Sequence, residues 1–198
     1  TYNSAATIRD TLESVASQTY VDIEHIIIDG ASKDDTLEIV KQFPHVAKVI
    51  SERDKGIYDA MNKGILAATG DVIGLLNSDD FLTRNDSIEN IVNTLIETKS
   101  DSVFGDIKFV SQADLSKVVR YYSSKEFKPN KFEWGYMPAH PTFYTYKKFY
   151  DEFGLYKLDY KICADFDFLI RLLYTHRLSY TCIKKDLVTM RTGGVSNI

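Results

Sequence analysis

The residues best suited to do chemistry form one short stretch, Asn77-Ser78-Asp79-Asp80, directly after the apolar run Val72-Ile73-Gly74-Leu75-Leu76. That run has the length, β-branched content and glycine boundary (Gly70) of a buried strand. An amide, a hydroxyl and two adjacent carboxylates therefore stand at a strand end. Taking two neighbouring carboxylates out of water costs several kcal/mol or forces one of them to hold a proton. A hard divalent cation removes that cost, because magnesium-type ions accept one or two carboxylates and complete their shell with substrate phosphates. The plainer alternative is a solvated turn, since Asn, Ser and Asp all favour turns.

The elements that must hold this stretch follow from the pattern around it. Asn3 or Ser4 can cap a first helix, with Ile8, Leu12, Val15 and Ala16 at helical spacing. Residues 23–28 form a β-rich run closed by Asp29-Gly30, and the polar loop 29–35 leads into a helix ended by Pro44. A strand over 46–51, the charged turn Arg53-Asp54-Lys55-Gly56, and a helix with Ile57, Met61, Gly64, Ile65 and Ala68 on one face come next. After the opening strand, Asp86-Ser87-Ile88-Glu89 has capping-box form, and strands are expected over 102–110 and 117–122. Such alternation predicts an α/β fold with a mostly parallel central sheet and helices on both faces. Ligands in such sheets bind outside the carboxyl ends of the strands. Asp29, the 51–54 turn and Asn77–Asp80 all lie at such ends, and Thr1–Asn3 joins them if it closes a strand preceding Thr1. Four polar ends on one edge favour a site over unrelated turns.

Composition bounds the rest. The chain has 198 residues, 44% hydrophobic and 26% charged, with net charge -4. That suits one soluble domain and argues against nucleic acid as partner. Cys163 and Cys182 lack metal-ligand spacing and are expected to be reduced packing residues, which points to the cytoplasm. No apolar run approaches the roughly 18 residues of a membrane span, and no secretory-signal pattern is present. Aromatic residues concentrate after residue 120, where the pattern is looser: a loop over 127–136, a short strand entered at 139–144, helices over 146–153 and 164–176, and strands over 178–183 and 187–190.

Six segments, in order along the chain, resemble the inverting glycosyltransferases of family 2, which have the GT-A fold, and among them bacterial enzymes that build surface polysaccharides. They are Thr1-Tyr2-Asn3, residues 29–34, residues 51–64, Ala68-Thr69-Gly70-Asp71, Asn77-Ser78-Asp79-Asp80 and Ala164-Asp165-Phe166-Asp167. The resemblance implies a nucleotide-binding sandwich with a donor part (1–110) and a smaller acceptor-side α+β part (111–198), its first strand lying before Thr1. It implies that Thr1, Tyr2, Asp29 and Asp54 line the nucleotide pocket, and that Asn77-Ser78-Asp79 occupies an Asp-x-Asp motif with Asn77 in place of the first acid. Asp79 matches the acid that binds Mn2+ or Mg2+, and Asp80 assists it or touches the donor sugar. His140 matches a frequent family histidine near diphosphate, metal or acceptor.

The implied reaction moves a sugar from a nucleoside diphosphate sugar, a UDP-sugar by the resemblance, to a hydroxyl of a glycan or lipid-linked acceptor. A lipid-linked acceptor would bring the chain into peripheral contact with the inner face of a membrane. The attacking hydroxyl must lose its proton, and a carboxylate across the site serves as general base. Asp167 has Arg171 four residues on, the spacing of a helical ion pair. Asp165 has Leu169 there and matches the family's catalytic acid, although Ala164 replaces the usual Glu before it. Both could instead merely complement their helix N-terminus. Trp134, Tyr136 and Phe143 could stack on an acceptor ring or pack, Lys63 could reach phosphate, and Gly193-Gly194-Val195-Ser196 could form a lid. The alternative function is a non-catalytic nucleotide-sugar or glycan-binding module on the same fold. A dinucleotide oxidoreductase is disfavoured, because Asn3-Ser4-Ala5-Ala6 opens the first helix without glycine.

Overall fold

The computed structural model describes residues 1–193. The first half runs α1 (Ile8–Ala16), β1 (His25–Asp29), α2 (Thr36–Val40), β2 (Val46–Ser51) and α3 (Ile57–Ala67). β1 and β2 pair in parallel, with Asp29 level with Ser51. Ile8, Leu12, Ile27 and Val40 close a small core between these strands and α1 and α2. Thr1 lies along the end of β1 as a strand residue would: its amine donates to Ile28 O at 2.5 Å, and Gly30 N donates to Thr1 O at 2.8 Å. Neither Asn3 nor Ser4 caps α1 with its side chain. Asn3 takes a positive φ of 47°, and the Ser4 hydroxyl meets that of Ser78 at 2.9 Å.

The second half adds β3 (Val72–Ile73), β4 (Phe81–Leu82), α4 (Ser87–Thr98), β5 (Ser102–Ser111), β6 (Asp114–Tyr122), β7 (Tyr144–Tyr146), α5 (Lys147–Phe153), α6 (Ala164–Leu169) and β8 (Tyr180–Arg191). Short 3-10 turns cover Pro129–Trp134 and His140–Thr142, and α6 widens into a π-helical stretch over Ile170–Thr175. The larger sheet has the order β3-β7-β5-β8-β4, with β6 also paired to β5. Here the α/β class stands but the expected strand direction does not. Only β5 and β8 are parallel, and the other pairs of this sheet are antiparallel. The reason is the source of the neighbours. β1 and β2 are consecutive strands joined by a helical crossover, which makes them parallel. β7 inserts between β3 and β5, and β6 returns by a tight hairpin, so strands from the C-terminal third reverse the local direction.

β3 is shorter than the apolar run that announced it. A Cβ on Gly74 would lie 1.9 Å from the ring of Tyr144, so that glycine is where the strand makes room for a buried aromatic of β7. Leu75 and Leu76 then pack into the two larger cores rather than extend the ladder. The first of those cores is aromatic, with Phe104, Phe127, Phe132, Tyr150, Tyr156 and Phe168 buried under α3 and α6. Among the described residues no helix is long and apolar enough to cross a membrane. Cys163 is exposed rather than packed, and Cys182 is half-buried; both are free thiols.

At the end of the first sheet remote from the polar loops, His25 Nδ1 and His45 Nε2 lie 3.0 Å apart. Burial, and then the neighbouring His45, push His25 down to about 4. The unfolded chain therefore binds a proton here that the folded chain excludes between pH 6.5 and about 4. Stability from this pair is complete above pH 6.5 and is lost as pH falls through that window. The melting temperature is expected to drop on acidification from pH 7 to 4.5, and His25→Gln should flatten that part of the profile.

Candidate active site

One group of candidate residues lies on four loops at one edge. Asp29 is fully buried at the end of β1, and its oxygens accept Ser32 Oγ at 2.5 Å, Ser32 N at 3.1 Å and Ser51 Oγ at 2.6 Å. It thus ties the 29–35 loop to the end of β2. Asp54 lies against Gly30, where a Cβ would come within 2.5 Å of its carboxylate and 3.4 Å of the Tyr2 ring. Gly56 N donates to Asp54 at 3.0 Å and opens α3. Asn3 is stitched to the same loop by Lys33 N at 2.9 Å. Gly30 N donates to Thr1 O at 2.8 Å, and the Ser4 hydroxyl meets that of Ser78 at 2.9 Å. The structure brings Thr1, Tyr2, Asp29, Asp54 and Asn77–Asp80 together.

Within the last stretch the two acids differ. Asp79 is half-buried, whereas Asp80 is 1% exposed. Asn77 Nδ2 donates to Asp80 Oδ2 at 3.3 Å, while Asp80 Oδ1 has no partner in the protein. Burial, and then the charge of Asp79, push the Asp80 carboxyl up to about 7. An orphaned oxygen beside a second carboxylate is a hard donor set of the kind a divalent cation takes. Among the described residues no three His, Cys, Asp or Glu side chains are arranged to hold a metal by themselves. Arg191, 6% exposed at the end of β8, donates to the main-chain oxygen of Asp79 and to the Asp10 carboxylate, and lies over the Phe81 ring. The sequence offered no local signal for this arginine, which reaches the site from 112 residues away.

A second group centres on Asp165 in the first turn of α6. Tyr58 OH donates to its Oδ1 at 3.1 Å, and His140 Nδ1 lies 3.1 Å from its Oδ2. The acid is 15% exposed. Burial, with Asp165 adding to it, pushes the Tyr58 phenol up to about 12. Burial holds His140 below its ordinary range despite the opposing pull of Asp165, so near pH 7 both are neutral donors. Asp167 behaves as its spacing predicts, pairing with Arg171 at 3.4 Å and also with Lys157 at 2.9 Å. Tyr58 was the residue that helical spacing missed: Ile57, placed on the buried face, is 52% exposed, and Tyr58 turns inward instead.

Other expectations are corrected by the packing. Lys63 is held by Glu52 at 2.8 Å and by Arg53 O at 2.9 Å, so it is not free for phosphate. Phe143 is buried in the aromatic core. Tyr136 stacks on Tyr122 and donates to Ser123 O. Of the three ring-stacking candidates, Trp134 alone stays open, at 84% exposed. Of the expected lid, Gly194, Val195 and Ser196 lie outside the described residues.

Residues 1–155 match the family described as Glycosyl transferase family 2. The chain belongs to glycosyl transferase family 2. It is 31% identical over 176 residues to a PGL/p-HBAD biosynthesis glycosyltransferase of Mycobacterium bovis, a match that covers 86% of this chain and 66% of that protein. The chain thus spans just under two thirds of that relative's length. Its fold is that of the GT-A glycosyltransferases. TarS of S. aureus superimposes with a TM-score of 0.78 at 19% identity, over 97% of this chain and 35% of TarS. A shorter TarS in complex with UDP-GlcNAc gives 0.75 at 18% identity, over 98% of this chain and 57% of that one. A mannosyltransferase of Pyrobaculum calidifontis in complex with GDP-Man and Mn2+ gives 0.69 at 18% identity, over 96% and 54%.

Proposed function

We propose that this domain catalyses metal-dependent, inverting transfer of a sugar from a nucleoside diphosphate sugar, a UDP-sugar in the first instance, to a hydroxyl of a glycan or lipid-linked acceptor in polysaccharide assembly. The observation that carries this reading is a carboxylate, Asp165, held by two neutral donors and joined through Tyr58 and α3 to the Asp54 turn of the donor side. The solved relatives with UDP-GlcNAc or with GDP-Man and Mn2+ support the donor class.

In this reading residues 1–110 hold the donor and 111–198 the acceptor. Asp29 fixes the loop beside the base, and Thr1, Tyr2 and Asp54 line the nucleotide. Asp79, supported by Asp80, would hold a Mn2+ or Mg2+ ion, and Asn77 and Ser78 complete that turn. When bound, such an ion offsets the negative charge of the departing diphosphate as a Lewis acid. Asp165 takes the proton of the acceptor hydroxyl as it attacks the face of the anomeric carbon opposite the diphosphate. One displacement on that face inverts the configuration.

The test is a thermal-shift panel of UDP-, GDP- and dTDP-sugars, each with and without Mn2+. A donor should raise the melting temperature by linkage, and more so with the metal. Binding of a donor without release of nucleoside diphosphate in the presence of any acceptor would favour the non-catalytic alternative. No shift with any of them would remove the donor assignment.

A further inference from the structure

We propose that Tyr58 and His140 are positioning residues that divide the two oxygens of Asp165 between them, fixing the plane of the carboxylate and leaving each oxygen a lone pair for an incoming hydroxyl. This rests on Asp165 being the base. The two donors reach it from separate, anchored parts of the chain. Tyr58 sits on α3, where Asn62 makes two hydrogen bonds to the main chain of Tyr156, Nδ2 to O at 2.8 Å and N to Oδ1 at 3.0 Å. Its ring stacks on Tyr156 with centroids 5.8 Å apart. His140 sits on a 3-10 turn pinned to β5: Gly105 N donates to Thr142 Oγ1 at 2.9 Å, and Ala139 N to Ser124 Oγ at 2.9 Å.

The charged surroundings are few. The buried phenol of Tyr156 lies nearby and feels the Asp165 charge. On the same helix, Asp167 is already neutralised by Lys157 and Arg171. Of the two acids of this helix turn, Asp165 is the one whose oxygens both face uncharged donors. Removing one donor should let the carboxylate swing out of the orientation in which it meets an incoming hydroxyl, a loss that falls on kcat.

The first measurement is kcat and KM for UDP-GlcNAc or GDP-mannose hydrolysis with Mn2+, in which water replaces the acceptor. Tyr58→Phe keeps the ring stack and removes only the hydroxyl. It should lower kcat about tenfold, the scale of a charge-assisted hydrogen bond, and leave the donor KM unchanged. His140→Ala should act alike, and His140→Asn, whose amide puts an N–H near the place of Nδ1, should restore much of the loss. A second measurement needs no turnover. In nitrogen-labelled protein, the His140 ring should titrate at lower pH in Asp165→Asn than in wild type, because the carboxylate that favours its cationic form has gone. Unchanged kcat in Tyr58→Phe and His140→Ala, with Asp165→Asn inactive, would overturn the proposal, as would identical His140 titration in the wild type and Asp165→Asn. Full activity of Asp165→Asn would instead remove the base assignment.

Discussion

Asp165→Asn is expected to lower sugar transfer by about 10²–10⁴-fold, the usual worth of a positioned general base, with donor affinity unchanged. The substitution keeps the shape of the side chain and removes its ability to take a proton. Tyr58 can still donate to the amide oxygen, and His140, neutral near pH 7, can turn its other tautomer toward the amide nitrogen. The site should therefore hold its geometry, and the loss should fall on kcat. Paired measurements decide this: Mn2+-dependent donor binding by calorimetry, and nucleoside diphosphate release with an acceptor. Loss of binding together with activity would mean that Asp165 contributes to the donor site instead.

The second large effect is expected at Asp79. Asp79→Asn should abolish the Mn2+-dependent part of donor binding and lower transfer by about 10²–10³-fold, because charge compensation of a leaving diphosphate is worth several kcal/mol. The fold around it should survive. The main chain of Asp79 is held by Arg191, Ser78 by Ser4, and the carbonyl of Asp80 by Thr11 Oγ1 at 2.7 Å. None of these contacts uses the Asp79 carboxylate. Melting temperature without ligand should be close to wild type, and only the shift caused by UDP-GlcNAc or GDP-mannose with Mn2+ should vanish. A retained metal-dependent shift would move the ligand role to Asp80, whose unpartnered Oδ1 is the other available oxygen.

The two acids of the Asn77–Asp80 turn look alike in sequence, and so do Asp165 and Asp167. In the second pair spacing gave Asp167 its partner Arg171, because an ion pair four residues along a helix is a local geometry that any helix enforces. It could not separate the first pair. Which of two adjacent carboxylates is buried depends on what packs over them, and Arg191 and α1 are brought there by the fold. Lys63 shows the same limit. Helical spacing offers it Asp59 four residues back, at 3.6 Å, but only the turn after β2 places Glu52 and Arg53 against it.

By itself the sequence determined the alternation of helices and strands in the first half, the gathering of Asp29, Asp54 and Asn77–Asp80 at strand ends, and the pairing of Asp167 with Arg171. Those rest on periodicity, turn chemistry and spacing, which act over a few residues. Tertiary structure alone decided the antiparallel make-up of the larger sheet, the burial of Asp80 and the partners of Asp165. Each depends on contacts between distant segments, such as Tyr58 with Asp165 across 107 residues or Asp10 with Arg191 across 181. No local pattern encodes such pairings; they are selected by how the apolar faces of whole elements bury against one another.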